Sequence, residues 1–166
     1  MAWTTPRTWA VNQQLTAALL NQQVRDNLAY LNENKQSQTQ IYQWTTESGG
    51  SHTGDTTPTA LGSGKQITLS VKSTVIVLCS FNLASTGYDS GYKPSAAQLY
   101  RGTTALGVSV VTCSERPAQN DFGCLVAVDA AVAAGTYTYY LKYWPTNEAY
   151  TAYCDQATMV LIVIPD

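Results

Sequence analysis

The chain has 166 residues, of which 45% are hydrophobic and only 12% are charged, a composition typical of a globular protein rather than a disordered one. Its nine lysine and arginine residues are scattered singly and the net charge is -2, so a surface for nucleic acid or for an anionic membrane is not expected. The opening Met-Ala-Trp-Thr-Thr-Pro-Arg lacks the apolar core of a signal peptide, and the longest aliphatic run, 160–164, is too short to span a bilayer. We therefore expect the protein to fold in a cytoplasm.

The first 15 residues are predicted to form an extended arm. They place Trp3 and Trp9 around Pro6 and Arg7, without the period of a helix or a strand. Ten residues cannot build a core around two tryptophans, and exposed tryptophans are unfavourable unless a partner covers them. The arm is therefore expected to dock on another protein, and packing of the two tryptophans on the helix of the same chain is the alternative.

A single amphipathic helix is predicted over about 16–34, with Thr16 placed to cap its first turn. Its apolar stripe recurs at three- and four-residue steps, at Leu20, Val24, Leu28 and Leu31. The opposite face is rich in asparagine and glutamine, and the stripe is too short for a stable isolated coiled coil. Another helix or another protein should therefore cover the stripe. Arm and helix together make a predicted attachment region over 1–40.

The rest of the chain is predicted to be a short linking region followed by a β domain. Residues 41–45 have the pattern of a short strand, and the segment up to residue 64 is rich in Gly, Ser and Thr, as in a linker. From residue 65 the apolar period becomes two, first at Ile67, Leu69 and Val71, which predicts that the β domain spans 65–166. The run 74–81 is almost continuously apolar, as in a strand buried on both faces.

Five further strands are predicted at 95–101, 106–113, 124–132, 136–144 and 157–164, separated by Gly, Pro, Asn or Asp. Tight hairpins are expected at 101–104 and 133–136, because each segment offers a glycine for positive φ. Seven or eight short strands without intervening helices favour a mainly β fold, an antiparallel β-sandwich.

Four cysteines, Cys79, Cys113, Cys124 and Cys154, lack the CxxC spacing of zinc sites and are accompanied by a single histidine, so neither a metal nor another cofactor is expected. Buried free thiols are one interpretation, because a thiol behaves as a small hydrophobic group. Disulfides are the alternative, with Cys113–Cys124 across a hairpin and Cys79–Cys154 between strands. Both interpretations stay open at this point.

No catalytic cluster is indicated, and the protein is not expected to be an enzyme. The single histidine, His52, lies in the Gly- and Ser-rich segment 49–54, which is expected to be too flexible to hold it beside a nucleophile. Six acidic residues lack the paired spacing of a glycosidase and are interpreted as solvated loop acids: Asp89, Glu115, Asp121, Asp129, Glu148 and Asp155.

The N-terminal 30 residues, MAWTTPRTW followed by TAALLNQQVRDNLAYL, resemble the openings of many tailed-bacteriophage virion proteins. The matching residues are Trp3, Pro6, Trp9, Leu20, Asn21, Arg25, Asp26, Asn27, Leu28 and Leu31. Residues 10–13 read Ala-Val-Asn-Gln, where family members often carry Val-Ala-Gly-Glu. The resemblance implies a virion component assembled in a bacterial cytoplasm. It also implies docking on a capsid or tail protein through Trp3, Pro6, Arg7, Trp9, Arg25 and Asp26.

The segments QLYRG (98–102) and AGTYTY (134–139), with an apolar final strand, resemble the jelly roll of the tumour-necrosis-factor and C1q-like proteins. That family forms three-fold trimers in which aromatic and aliphatic residues of an inner sheet meet at the axis. The resemblance therefore implies a homotrimer. One predicted strand carries Tyr137, Tyr139 and Tyr143 on one face and Tyr140 with Trp144 on the other, a density that suits either subunit interfaces or carbohydrate stacking. The interface candidates are Tyr137, Tyr139, Leu141 and Tyr143.

Together these observations predict a non-enzymatic virion structural protein, a trimeric head fibre or decoration protein anchored to the capsid by its N-terminal arm. One alternative is a minor tail or tail-tip protein that binds a host surface glycan or protein through the segments 85–95 and 116–122. A small glycan-degrading tail enzyme is the remaining alternative.

Overall fold

The structure is a computed structural model that describes residues 39–46, 49–87, 93–114 and 121–166, together with Thr16, Val24, Arg25 and Leu28. Two units divide the chain, Met1–Gln38 and Thr39–Asp166. In the first unit, Val24 and Leu28 of the predicted apolar stripe are both exposed. Within the described residues, no helix is both long and apolar enough to cross a membrane.

The other predictions on the first unit fall outside the described residues. They concern the docking residues and the rest of the helix stripe: Trp3, Pro6, Arg7, Trp9, Leu20, Asp26 and Leu31. These residues remain predictions from the sequence alone.

Ten strands lie in the described part of the second unit. They are β1 (Gln40–Thr46), β2 (Gly50–Thr53), β3 (Thr59–Ala60), β4 (Lys65–Leu69), β5 (Ser73–Gly87), β6 (Lys93–Arg101), β7 (Thr104–Ser114), β8 (Asp121–Val132), β9 (Gly135–Pro145) and β10 (Tyr150–Pro165). Side chains of a strand point alternately to its two faces, so the period-two sequence pattern buries one face of each strand.

The strands form two antiparallel sheets that pack face to face, which confirms the predicted β-sandwich. Sheet A has the order β1-β10-β5-β8, with β2 also paired to β10, and sheet B has the order β3-β9-β6-β7, with β4 also paired to β9. β1 and β2 occupy one position in sheet A, and β3 and β4 occupy one position in sheet B, so the sandwich has eight strand positions. Its strand order is that of a jelly roll.

The hydrophobic core lies between the two sheets. Sheet A contributes alternate residues of β5 and β10, and sheet B contributes residues of β4, β6 and β9; the largest are Ile67, Val75, Val77, Phe81, Leu83, Leu99, Tyr139, Leu141, Tyr143, Met159 and Leu161. Each fully buried side chain of this size stabilises the fold by roughly 1.5–3 kcal/mol.

The short strand predicted at 41–45 is confirmed as part of β1, but the linker predicted over 47–64 is wrong, because β2 and β3 of this segment belong to the sandwich. β1 pairs with β10 along its whole length, from Gln40 opposite Val163 to Thr46 opposite Ala157, and β2 and β3 pair with β10 and β9. The β-sandwich therefore begins at about residue 39 rather than residue 65.

One of the two predicted hairpins is confirmed and the other is wrong. Arg101 pairs with Thr104 across a two-residue turn in which Gly102 has a φ of 57°. By contrast, the segment 133–136 links β8 of sheet A to β9 of sheet B, so it crosses between the sheets instead of joining neighbouring strands. Turn-forming residues in a sequence indicate a reversal without indicating which sheet the next strand joins.

Candidate functional site

The residues predicted to form a trimer interface lie in the interior of the monomer. Tyr139, Leu141 and Tyr143 are at most 2% exposed, because the inner face of β9 packs against sheet A. Tyr137 packs against the same core, and its hydroxyl donates a hydrogen bond to the carbonyl oxygen of Ala133, 3.1 Å away. The interface prediction is therefore wrong for Tyr139, Leu141 and Tyr143, because they leave no surface for a second copy, whereas Tyr137 is partly exposed.

The apolar surface that the structure exposes is instead on the outer face of sheet A. In the register, one cross-strand row runs Ile41–Ile162–Ile76–Val128 and the next runs Gln43–Val160–Leu78–Val126. We call the seven apolar members of these two rows the aliphatic face: Ile41, Ile76, Leu78, Val126, Val128, Val160 and Ile162. It spans all four strand positions of the sheet.

The aliphatic face is open to solvent at both edges and half-buried at its centre. Ile41 on β1 is 69% exposed, and Val126 and Val128 on β8 are 59% and 60% exposed. Ile76 and Leu78 of β5 are partly exposed, so the prediction that 74–81 is buried on both faces is wrong for the monomer. A contiguous apolar surface without a charged residue in either row is typical of a protein–protein contact.

A second cluster ties the two sheets together. The carboxylate of Asp129 on β8 accepts a hydrogen bond from the Tyr139 hydroxyl (2.8 Å) and pairs with the Arg101 guanidinium (3.0 Å), both from sheet B. That guanidinium also lies over the Tyr137 ring, 5.3 Å from its centroid. Burial raises the pKa of Tyr139, and its hydrogen bond to the Asp129 carboxylate raises it further. The interpretation of Asp129 as a solvated loop acid is therefore wrong, and we assign this cluster to structural stabilisation.

His52 lies in β2 and is held on both sides, which contradicts the expectation of a flexible loop. Its Nε2 is 3.0 Å from an Asp55 carboxylate oxygen, and its Nδ1 is 3.0 Å from the Thr59 hydroxyl. The Asp55 carboxylate also accepts a hydrogen bond from the Thr57 backbone N–H, which together with His52 lowers the pKa of Asp55. Since this carboxylate is exposed, whereas catalytic triads bury theirs, we assign the cluster to stabilising the connection from β2 to β3.

The three cysteines whose side chains the structure describes, Cys79, Cys124 and Cys154, are free thiols. Cys154 pairs with Leu83, four residues along β5 from Cys79, a separation of about 13 Å, whereas a disulfide needs Cα atoms within about 7 Å. The Cys79–Cys154 disulfide is therefore excluded, and Cys124 is unpaired, so Cys113–Cys124 is not formed either. No group of three or more His, Cys, Asp or Glu among the described residues is arranged to hold a metal ion.

The buried thiols predict a loss of stability in alkali. Burial raises the pKa of Cys79 and of Cys154 from 9.0 to about 12. A group that holds its proton more tightly when folded contributes stability that is complete below pH 9 and is lost as the pH rises towards 12. We expect each thiol to lower the free energy of unfolding by roughly 2–3 kcal/mol at pH 11, measured by urea denaturation. Cys154→Ala should make this fall smaller because it removes one of the two buried thiols, and an unchanged fall would contradict the assignment.

The chain has a distant structural likeness to a solved viral protein. No protein-family model and no curated protein matches the chain. Among solved structures, the chain is similar to the crystal structure of the infectious bursal disease virus VP2 subviral particle, at 10% identity and a TM-score of 0.41. The match covers 77% of this chain and 33% of that one, so it spans about a third of the VP2 chain.

Proposed function

We propose that the chain is a non-enzymatic structural protein of a bacteriophage particle, a homotrimeric head fibre or decoration protein. Its N-terminal arm docks on the capsid and its β-sandwich projects from the surface. The resemblance of MAWTTPRTW and the following segment to virion protein openings supports the location on a particle. A tail-tip location is the alternative.

The observation that carries the assembly part of the proposal is the aliphatic face. Sheet B already covers the inner face of sheet A, yet the outer face repeats isoleucine, leucine and valine on three adjacent strands: β10, β5 and β8. Apolar side chains gain free energy, about 25 cal/mol per Å² of apolar area, when they leave water. Three copies arranged around an axis beside this face would bury part of it in each copy, with one edge of the face contacting a different edge of the next copy, as in a closed ring.

A trimer also gives the arm a function that one copy would lack. Three arms carried by one particle-bound trimer raise the effective concentration of the second and third arms once the first has bound. Weak docking by each arm then yields near-permanent attachment. Docking of the arms supplies the free energy of attachment, and burial of apolar surface supplies the free energy of assembly. No chemical step is required.

The proposal predicts that charges on the aliphatic face dissociate the trimer. The full chain should have a mass three times that of its 18.0 kDa chain in light scattering. Val126→Lys with Val128→Lys should reduce it to 18.0 kDa, because both positions are exposed in the monomer and the lysines would be desolvated at the interface. Val108→Lys with Val111→Lys, two exposed valines of β7 in sheet B, is the matched control and should remain trimeric.

Two further results would contradict the proposal. A wild-type chain that is monomeric at every concentration would exclude assembly through this face. A chain shortened to start at residue 39, where the second unit begins, tests the helix: if only the full chain is trimeric, the helix is the assembly element and the aliphatic face is not. Circular dichroism should show that each variant keeps its strands.

A further inference from the structure

The outer face of sheet B has a different chemistry from that of sheet A. Tyr140, Lys142 and Trp144 follow one another on the outer side of β9, and Tyr100 and Gln98 lie opposite Tyr140 and Lys142 on β6. We call these five residues the aromatic patch. All five are partly exposed, so three rings, a cation and an amide share one surface.

Contacts hold the members of this patch in place. Tyr140 lies against Gly64, where a Cβ would come within 2.6 Å of a ring carbon, so this glycine makes room for the ring. The Lys142 ammonium is 4.4 Å from the centroid of the Tyr100 ring. The Gln98 side-chain amide donates to the carbonyl oxygen of Gly107 at 3.0 Å, which orients its own oxygen as an acceptor.

Lys142 determines the charge that a partner for this face must carry. Among the described residues its ammonium has no carboxylate partner, and it lies over the Tyr100 ring. A dry contact would desolvate the ammonium, which is strongly unfavourable unless a negative charge pairs with it. A partner that fits must therefore bring its own negative charge, together with an apolar surface for the rings and hydroxyl groups for Gln98.

We infer that the aromatic patch binds a saccharide that carries a carboxylate, such as a uronic acid or a sialic acid. The apolar face of a sugar ring stacks on Tyr140, Tyr100 and Trp144, the carboxylate pairs with Lys142, and a hydroxyl donates to Gln98. Trp and Tyr suit this role because their rings are apolar while their edges stay wet. The inference rests on the proposed function in one respect. In the proposed trimer the outer face of sheet B points away from the other copies, so the projecting domain exposes the aromatic patch to solvent.

Calorimetric titration of the full chain tests this inference with three acidic probes, trigalacturonate, a glucuronic-acid disaccharide and 3′-sialyllactose, and two neutral probes, maltotriose and lactose. At least one acidic probe should bind about tenfold more tightly than both neutral probes. Trp144→Ala and Tyr140→Ala should each weaken that binding about tenfold. Lys142→Met should remove the preference for acid while leaving the weak neutral binding unchanged.

The inference is overturned if none of the five probes binds at concentrations up to about 1 mM. It is also overturned if Lys142→Met keeps the acidic preference, or if the aromatic variants bind as the wild type does. Val126→Lys with Val128→Lys should bind the acidic probe as the wild type does, because these residues lie on the other sheet. A wild-type chain that is monomeric but binds the acidic probe would contradict the proposed trimer alone, and a trimeric wild-type chain that binds no probe would contradict this inference alone.

Discussion

Replacing Phe81 with alanine should lower the free energy of unfolding by about 3–5 kcal/mol. Phe81 is fully buried in β5, and its ring lies against Gly123, the residue directly opposite on β8. Gly123 has no side chain that could move into the vacated space, so the cavity should stay open. Urea denaturation followed by circular dichroism measures the loss.

Gly123→Ala tests the same contact from the opposite strand. In the wild type, the added methyl group would overlap the Phe81 ring, and overpacking of this kind costs about 1–3 kcal/mol. In the Phe81→Ala background the methyl group fills part of the cavity, so the two changes together should cost less than their sum. Strictly additive losses would show that the ring and the glycine do not share this space.

Asp129→Ala should destabilise the sandwich by about 3 kcal/mol. The change removes the acceptor of the Tyr139 hydroxyl and leaves the partly buried Arg101 guanidinium without its carboxylate. Asp129→Asn is the matched control: it keeps an acceptor for Tyr139 and should recover about half of the loss. The same urea titration measures both variants.

The partner of Asp129 supplies a second check. Arg101→Met removes the charge that Asp129→Ala leaves unpaired, so the double variant should be more stable than the sum of the single losses predicts. If Asp129→Ala unfolds at the same urea concentration as the wild type, the cluster does not stabilise the contact between the sheets.

Much of the strand content could be predicted because alternation is a local property. The alternation of Ile67 and Leu69 predicted β4, and the glycine of the 101–104 turn predicted the hairpin between β6 and β7. Strand β1 was predicted, but not its place in the sandwich, because its partner is β10, more than 100 residues later. Strand β2 has the Gly- and Ser-rich composition of a linker. It is a strand because it pairs with β10, and the local sequence does not indicate that pairing.

The candidate surfaces were harder to predict, because a period of two separates the faces of a strand without saying which face is inside. Tyr139 and Tyr143 alternate with Tyr140 and Trp144 on β9, and either set could have faced outward. Two members of the aliphatic face, Ile76 and Leu78, lie in the apolar run 74–81. The run alone could not show that one face of the strand remains partly exposed to solvent. Lys142 and Tyr100 meet only through the register of β9 and β6.

The position of β10 in sheet A has a consequence for the order in which the protein is made. β10, Tyr150–Pro165, lies between β1 and β5, so sheet A lacks an interior strand until this segment leaves the ribosome. Until then Ile162 and Val160 are absent, so Ile41 lacks its partner strand and each row of the aliphatic face is limited to β5 and β8. In the proposed trimer, copies could therefore not meet on the complete face before β10 has been made.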